Sequence, residues 1–318
     1  YYSRTKDLLV QKTYPYITGM KTYWDNGGEL KNVGFEATLN GKLINTRNFQ
    51  WELGLTVGHY KNEVVSLDDD SYIASVYGGE VATMEGSPVG VFWGYKTDGV
   101  ISSQKEIDAM GEKALYQLDA TGNPQYFEPG DVKFVDINGN DGCIDENDKT
   151  IIGDPNPDIY GNLFSAMSYK RFRLDVNFNY SLGNDVYNYM RSQLEGGNRF
   201  MNQTTAMLHR WQAEGQQTSM PRATFQDPMG NARFSDRWIE DGSYLRLKSA
   251  TLSYNLPINS TFIQGFQFWV QANNVFTLSK YLGSDPEFAA TSNVIGQGID
   301  LGQLSQSRSI VAGIKINL

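Results

Sequence analysis

The chain has 318 residues and a net charge of -9, with 27 Lys plus Arg against 36 Asp plus Glu. This acidic balance argues against nucleic acid as a partner, because such a partner requires a basic surface that displaces counterions, and no apolar run approaches the roughly 18 residues of a membrane helix. The single cysteine excludes an internal disulfide framework and paired-cysteine zinc sites. The chain opens at Tyr1 without a methionine or a signal peptide, so we expect a mature, trimmed or partial chain.

Several segments alternate apolar and polar residues with a period of two. A helix would spread both classes around its surface, so this alternation predicts β-strands. It is strongest from Phe172 to Leu182, where Arg173, Asp175 and Asn177 are among the polar residues between the apolar ones. In chain order, about eight strands are predicted: 1–9, 32–43, 49–64, 158–169, 171–183, 243–256, 264–277 and 307–318.

Short and long connections alternate between these strands. The short ones are 44–48, the region of Lys170 and 257–263, and the long ones are 10–31, 65–157, 184–242 and 278–306. Outer-membrane barrels combine short periplasmic turns with long extracellular loops. The pattern therefore predicts an all-β fold, an antiparallel transmembrane β-barrel segment whose large extracellular loops are about 65–157 and 184–242. The alternative is a soluble sandwich with one wet face.

The long loops should contain small elements of their own, because structureless loops of such length are uncommon. Residues 90–99 predict a strand and turn, and residues 103–118 have a helix-like start, with Ser103 as the N-cap candidate and Glu106 three residues later. A second helix is predicted at Thr204–Glu214, with Met207, Leu208 and Trp211 on its packed side. Residues 236–242 are expected to fix the base of the second long loop.

An acidic and glycine-rich segment at 136–148 resembles a calcium loop, which places oxygen ligands at alternating positions around a sharp glycine turn. The candidate ligands are Asp136, Asn138, Asn140, Asp141, Asp145 and Asp148. Counting twelve positions back from Asp148 places Gly142 correctly but puts Ile137 at the first position. The alternative is a turn whose Asx side chains bind their own backbone.

The polar positions of the strands supply candidate residues for a water-filled lumen. They are Glu52, Arg173, Asp175, Asn177, Arg246 and Lys248. Salt bridges inside the wall explain these charges equally well. No nucleophile motif surrounds either histidine, so no catalytic residue is assigned and an enzyme is not expected.

Stretches along nearly the whole chain resemble SusC/RagA-type TonB-dependent outer-membrane transporters, and they follow the order found in that family. They are NVGFEATL (32–39), GSPVGVFWGYKTDG (86–99), GDVKFVDINGNDG (130–142), TIIGDPNP (150–157), FSDRWIEDGSYLRLKSATLSYNLP (234–257), NNVFTLSKYLGSDPEF (273–288) and SQSRSIVAGIKINL (305–318). The resemblance implies that residues 1–318 are the C-terminal part of a barrel of about 22 strands, a size that encloses a plug.

The resemblance also implies the partners of the chain. These are the remainder of the barrel and its plug, which this chain lacks, a SusD-like surface lipoprotein, TonB bound through the absent N-terminal part, and outer-membrane lipid. The predicted function is a share in importing oligosaccharides or peptides across the outer membrane, as a multi-pass β-barrel. No cofactor is expected beyond calcium at 136–148. The alternatives are a surface glycan-binding β protein or adhesin, and a self-contained eight-strand barrel closed by pairing 1–9 with 307–318.

Overall fold

The structure is a computed structural model that describes residues 1–13, 22–68, 71–139, 141–258, 262–263, 265–291 and 293–317. The strands are β1 (Tyr2–Thr13), β2 (Thr22–Asn45), β3 (Phe49–Leu67), β4 (Ser71–Val76), β5 (Gly79–Met84), β6 (Val91–Tyr95), β7 (Thr97–Val100), β8 (Tyr116–Leu118), β9 (Pro124–Tyr126), β10 (Val132–Phe134), β11 (Lys149–Gly153), β12 (Ile159–Tyr169), β13 (Phe172–Leu182), β14 (Asp185–Asn188), β15 (Ile239–Asp241), β16 (Tyr244–Pro257), β17 (Gly265–Asn273), β18 (Thr277–Ser279), β19 (Ile299–Asp300) and β20 (Ser309–Asn317). The α-helices are α1 (Gln104–Met110) and α2 (Tyr189–Glu195), and short 3-10 turns occur at Gly111–Lys113, Glu146–Asp148, Thr205–His209, Asp236–Trp238 and Val294–Gly296. Among the described residues, neither α-helix has the length and apolar character needed to cross a membrane.

The largest sheet is antiparallel and open, and it is called the wall below. Its strands are hydrogen-bonded in the order β1-β2-β3-β12-β13-β16-β17-β20, and β18 pairs with residues 244–246 at the beginning of β16. These are the eight strands predicted from alternation, in chain order, and the short connections at 46–48 and 170–171 are confirmed. The all-β prediction and the predicted antiparallel pairing are therefore confirmed.

The pairing register sorts the wall residues into two faces. Residues opposite each other on neighbouring strands point to the same side of a sheet. Glu52 is opposite Ala166, which is opposite Asp175, and Asp175 is opposite Thr251; this side is called the polar face. Apolar residues dominate the other side, which is called the apolar face. At the strand ends next to the short turns, one row of this face on the inner strands contains Phe49, Tyr169, Phe172, Tyr254 and Phe268. This aromatic row is the kind of girdle expected at a membrane interface.

The apolar face is uncovered. Leu39 is 73% exposed and Ile314 is 63% exposed, and Leu252 and Val270 on the same face are 51% and 49% exposed. A soluble sandwich would bury these side chains between two sheets. The sandwich alternative is therefore wrong for this chain.

The two edge strands of the wall, β1 and β20, do not pair with each other in the described residues. The self-contained eight-strand barrel requires that pairing, so this alternative is also wrong. Unpaired edges leave backbone N–H and C=O groups without partners, which hydrocarbon does not tolerate. The wall is therefore part of a larger sheet if it lies in a membrane.

A bulge in β16 explains why the alternation there is weak in the sequence. Asn177 pairs with Ser249 but Phe178 pairs with Leu247, so Lys248 is an extra residue on β16. An extra residue reverses the phase of alternation. Leu247 before the bulge and Ala250 after it consequently both lie on the apolar face.

The predicted long connection at 10–31 is mostly wrong. β1 continues to Thr13 and β2 begins at Thr22, with Leu9 opposite Asn26 and Lys12 opposite Tyr23. Only residues 14–21 between them lie outside the described part of the chain. The extension was missed because the residues at 22–29 are polar and glycine-rich and do not alternate.

The hydrophobic core lies in the long loops rather than in the wall. The first long loop (65–157), the second (184–242) and the third (278–306) share one cluster of buried residues, Val81, Phe92, Tyr187, Trp238 and Ile299. A second cluster packs Tyr95, Ile101, Leu115, Phe127, Val132, Phe134 and Ile144 of the first loop against Met229 of the second. The three loops thus form one packed unit, called the loop body below.

Of the short elements predicted inside the long loops, some are confirmed and one is wrong. The strand and turn at 90–99 correspond to β6 and β7, and α1 begins after Ser103 as predicted, although the Ser103 side chain makes no capping bond. The helix predicted at Thr204–Glu214 is wrong, since only the turn at Thr205–His209 forms. Its residues pack singly instead: Met207 is buried, while Leu208 is 69% exposed.

Candidate transport surface

The polar face carries five of the six predicted lumen residues, and the sixth, Lys248, is the extra residue of the β16 bulge. Arg173 and Asp175 form an ion pair on β13, with Nε 2.9 Å from Oδ2 and Nη2 2.7 Å from Oδ1. Both residues remain partly exposed, and Glu52 belongs to the same row as Asp175, two strands away. These three charges are open to the space in front of the sheet, as the lumen hypothesis requires.

Uncharged polar side chains occupy the middle of this face. Asn162 of β12 donates from Nδ2 to Oδ1 of Asn177 at 2.5 Å and to Oδ1 of Asn179 at 2.9 Å. Further along the wall, Asn273 of β17 donates to Ser309 Oγ of β20 at 3.0 Å. These amides and hydroxyls provide hydrogen-bond donors and acceptors without net charge, which suits a water-exposed surface along which polar ligands move.

Arg246 and Lys248 differ from the other four candidates because the third loop covers them. Arg246 is 2% exposed, and its guanidinium contacts the carboxylates of Asp285 and Glu287. Lys248 donates to Gln306 Oε1 at 2.7 Å. The third loop therefore buries Arg246, whereas Lys248 bonds to that loop and stays partly exposed.

The acidic segment at 136–148 is folded as a set of backbone-binding turns. Asp148 is completely buried, and its carboxylate accepts the N–H groups of Ile137 at 2.8 Å, Asn138 at 3.0 Å and Asp145 at 2.8 Å. This capping role explains the Asx-rich composition. The sequence alternative of a self-bonding turn describes this part of the segment.

The remaining calcium candidates make similar local bonds. Asp136 accepts from Gly142 N at 2.7 Å, Asp141 from Cys143 N at 2.8 Å and Asp145 from Asn147 N at 2.7 Å. Asn140 lies outside the described residues. Across the part of the chain that the structure describes, no three His, Cys, Asp or Glu side chains are grouped so as to hold a metal ion. Calcium binding stays a prediction for this segment.

Buried ion pairs tie the loops to each other. Asp131 of the first loop is completely buried, and it accepts from Arg222 Nε of the second loop at 2.8 Å and from Asn231 Nδ2 at 2.8 Å. Asp236 accepts from Thr97 Oγ1 at 2.6 Å, which joins the second loop to the first. As predicted for residues 236–242, Asp241 pairs with Asp185 and so holds the two ends of the second loop together. A buried charge is tolerated only when paired and hydrogen-bonded, so these contacts fix the relative position of the loops.

A charged cleft of about 410 Å³ opens between α2 and the third loop. Arg191 on its wall donates to Glu195 at 2.9 Å and to Glu240 at 2.8 Å, and the backbone of Gly302 and the side chain of Leu304 also line it. Behind the cleft, burial and then the neighbouring Arg191 guanidinium lower the pKa of Arg237 to about 10. The cleft offers polar and apolar contacts to a small ligand.

Sequence reasoning missed the acidic residues that matter most to this surface. Asp285 and Glu287 lie in a loop without periodicity, 39 and 41 positions from Arg246. No pattern in a single sequence links residues at such a separation. A signal was available only in Arg246 itself, because an arginine among the strand residues of a wall requires a partner.

The comparisons place this surface among known proteins. No family model matches the chain. Over 99% of its length the chain is 30% identical to TonB-dependent receptor P3 of Formosa agariphila and 28% identical to TonB-dependent receptor SusC of Bacteroides thetaiotaomicron. It spans 32% and 29% of these relatives, so it corresponds to about a third of their length.

Solved structures show the same fold. The chain superposes on a structure of the RagAB peptide importer in its closed-closed state with a TM-score of 0.75, at 24% identity, over 99% of this chain and 32% of that one. A structure of the RagAB peptide transporter gives the same values. The relatives are receptors rather than enzymes, in agreement with the expectation from sequence. The chain is therefore a relative of the TonB-dependent receptors that include SusC and corresponds to about a third of such a protein.

Proposed function

We propose that this chain forms part of the wall and external loops of a TonB-dependent importer in the outer membrane. The observation that carries the proposal is the two-faced wall, which is apolar and uncovered on one side and lined with amides, hydroxyls and ion pairs on the other. A sheet of this kind is stable where one face meets lipid and the other meets water inside a barrel. The relationship to TonB-dependent receptors along the whole chain supports the same conclusion.

Each part of the chain then has its own role. The apolar face anchors the protein in lipid, with the aromatic row at the periplasmic interface. On the polar face, Glu52, Arg173, Asp175 and Asn177 line the passage. The loop body lies outside the membrane and, through the cleft at Arg191, contributes to ligand capture.

The proposed cargo is an oligosaccharide or a peptide. The RagAB structure is named as a peptide importer, and the neutral polar side chains of Asn162, Asn177 and Asn179 can bond to peptide or sugar groups alike. The proposed partners are the remainder of the barrel with its plug, a SusD-like lipoprotein over the loop body, and TonB acting on the plug. These partners supply what an open sheet lacks, which is closure, a gate and an energy source.

The test is to purify the full-length protein from native membranes and to identify what accompanies it. The proposal predicts that detergent is required, that a lipoprotein co-purifies, and that deletion of TonB abolishes uptake of the co-purified ligand. A water-soluble monomer would instead indicate the surface glycan-binding protein, and it would reject the importer.

A further inference from the structure

The third loop is joined to the wall at one buried charge cluster. Arg246 lies on the polar face of β16, and each nitrogen of its guanidinium is used. Nε donates to Thr277 Oγ1 at 2.9 Å, Nη1 donates to Glu287 Oε2 at 2.6 Å, and Nη2 donates to Asp285. The planar guanidinium fixes all three acceptors in one geometry, which an ammonium group would not do.

The same cluster holds both the beginning and the end of the third loop. Asp285 accepts the backbone N–H of Glu287 at 2.9 Å and that of Gln306 at 3.1 Å. The Gln306 side chain also donates to Glu287 at 3.1 Å and accepts from Lys248 at 2.7 Å. Residues 285 and 306 are thus brought together on β16, so the loop between them is closed at its base.

This arrangement is expensive unless all its members are present. Asp285 is 6% exposed and Arg246 is 2% exposed, and removing one member of a buried ion pair is strongly destabilising because it leaves the other charge buried without a partner. Burial acts to raise the pKa of Asp285, but the two backbone N–H groups and then Arg246 outweigh it and lower that pKa below its ordinary value. Apolar residues of the same size would stabilise a loop base equally well. The charged groups therefore contribute the position of the third loop on the wall rather than additional stability.

We propose that Arg246 is a positioning residue that fixes the third loop, and through it the loop body, on the polar face of the wall. Ile299 of the third loop is buried in the cluster shared by all three loops, so a displacement of this loop base moves the packed unit. The inference goes beyond the proposed function, because it concerns how the loops are held and requires no ligand.

The experiment measures distances by pulsed electron paramagnetic resonance in the full-length protein in lipid nanodiscs. Native cysteines are replaced by serine, and spin labels are attached at Leu304 and Arg47. Leu304 is 99% exposed beside Gln306, and Arg47 is an exposed residue in the short turn at 46–48. We expect one narrow distance peak in the parent, its loss in Arg246→Met, and its partial recovery in Arg246→Lys.

Two controls separate positioning from general folding. Arg173→Met removes an ion pair elsewhere on the polar face and should leave the peak unchanged. A second label pair, at Ile137 and Leu208, reports on the loop body itself and should be unchanged in every variant. If Arg246→Met does not assemble, the double variant Asp285→Asn, Glu287→Gln removes the charges with little change in size, and it should lose the 304–47 peak. An unaltered peak in these variants, or equal broadening of the 137–208 pair, would overturn the proposal.

Discussion

Several buried charges in the loops join segments that are distant in sequence. Asp131 is bound by Arg222, 91 residues away, and Glu240 by Arg191, 49 residues away. By contrast, the pair formed by Arg173 and Asp175 on the wall is local and partly exposed. The loop body therefore depends on individual residues more strongly than the wall does, because wall stability comes from backbone pairing.

The Asp131 contact gives the first prediction. Arg222→Met leaves a completely buried carboxylate without its cation, which should cost about 3–5 kcal/mol in local opening. Lys31→Met is the matched control: it breaks an exposed pair with Glu63, which should cost about 0–1 kcal/mol. Hydrogen exchange of residues 127–132 in the full-length protein should accelerate in Arg222→Met and stay at the parent rate in Lys31→Met. Equal protection of these residues in the two variants would contradict the assignment.

The acidic segment gives the second prediction. If calcium binds at 136–148, calcium should raise the melting temperature of the protein, because a ligand that binds only the folded state stabilises it. The variant Asp145→Ala, Asp148→Ala should lose that increase, and it should also melt lower without calcium, since three backbone N–H groups lose the Asp148 acceptor. Equal calcium affinity of the parent and the variant, measured by calorimetric titration, would reject the metal site.

Among the strands, β16 shows how one residue controls the two faces. The bulge at Lys248 keeps Leu247 and Ala250 on the apolar face although they are three positions apart. Without it, Leu245 and Leu247 would turn toward water whenever Leu252 and Tyr254 faced lipid. A phase error of one residue reverses every side chain on one side of it.

Deletion of Lys248 should therefore be tolerated, as should Lys248→Ala. The deletion makes Leu247 and Ser249 consecutive opposite Phe178 and Asn177, so both faces stay in phase without a bulge, and the alanine variant loses only the bond to Gln306. The measurement is the amount of folded protein in the outer-membrane fraction, detected by its altered migration in unheated electrophoresis samples. Loss of assembly in the deletion variant alone would show that Lys248 is not merely an extra residue in the pairing.

The eight wall strands were predictable from sequence because an alternating pattern in ten residues is nearly independent of the rest of the chain. The bulge itself was visible only as a weakened alternation between 244 and 254. The loops were less predictable for a physical reason: Met207 and Trp211 pack singly, Trp211 donating to Ser102 O at 3.0 Å, and such contacts leave no period. The Arg246 cluster was likewise hidden, since its acids come from a distant aperiodic loop.

The chain combines an open wall with a loop body that is already packed. Core residues from all three loops meet in one cluster, so the loops are expected to move together rather than as separate flaps. The wall, in contrast, has two unpaired edges and an uncovered apolar face. Such an open sheet agrees with a chain that spans 32% of its relatives.

We expect one face of the wall to contact lipid and the other to contact water. Spin labels placed singly at residues 174–178 of β13, in the full-length protein in nanodiscs, test this expectation. Oxygen concentrates in lipid and a nickel chelate stays in water, so their collision rates with each label report its surroundings. We predict that labels at Leu174, Val176 and Phe178 collide mostly with oxygen. Labels at Asp175 and Asn177 should collide more often with the nickel chelate. Labels at 174, 176 and 178 that are shielded from oxygen, or that collide equally with nickel, would contradict a membrane-spanning wall.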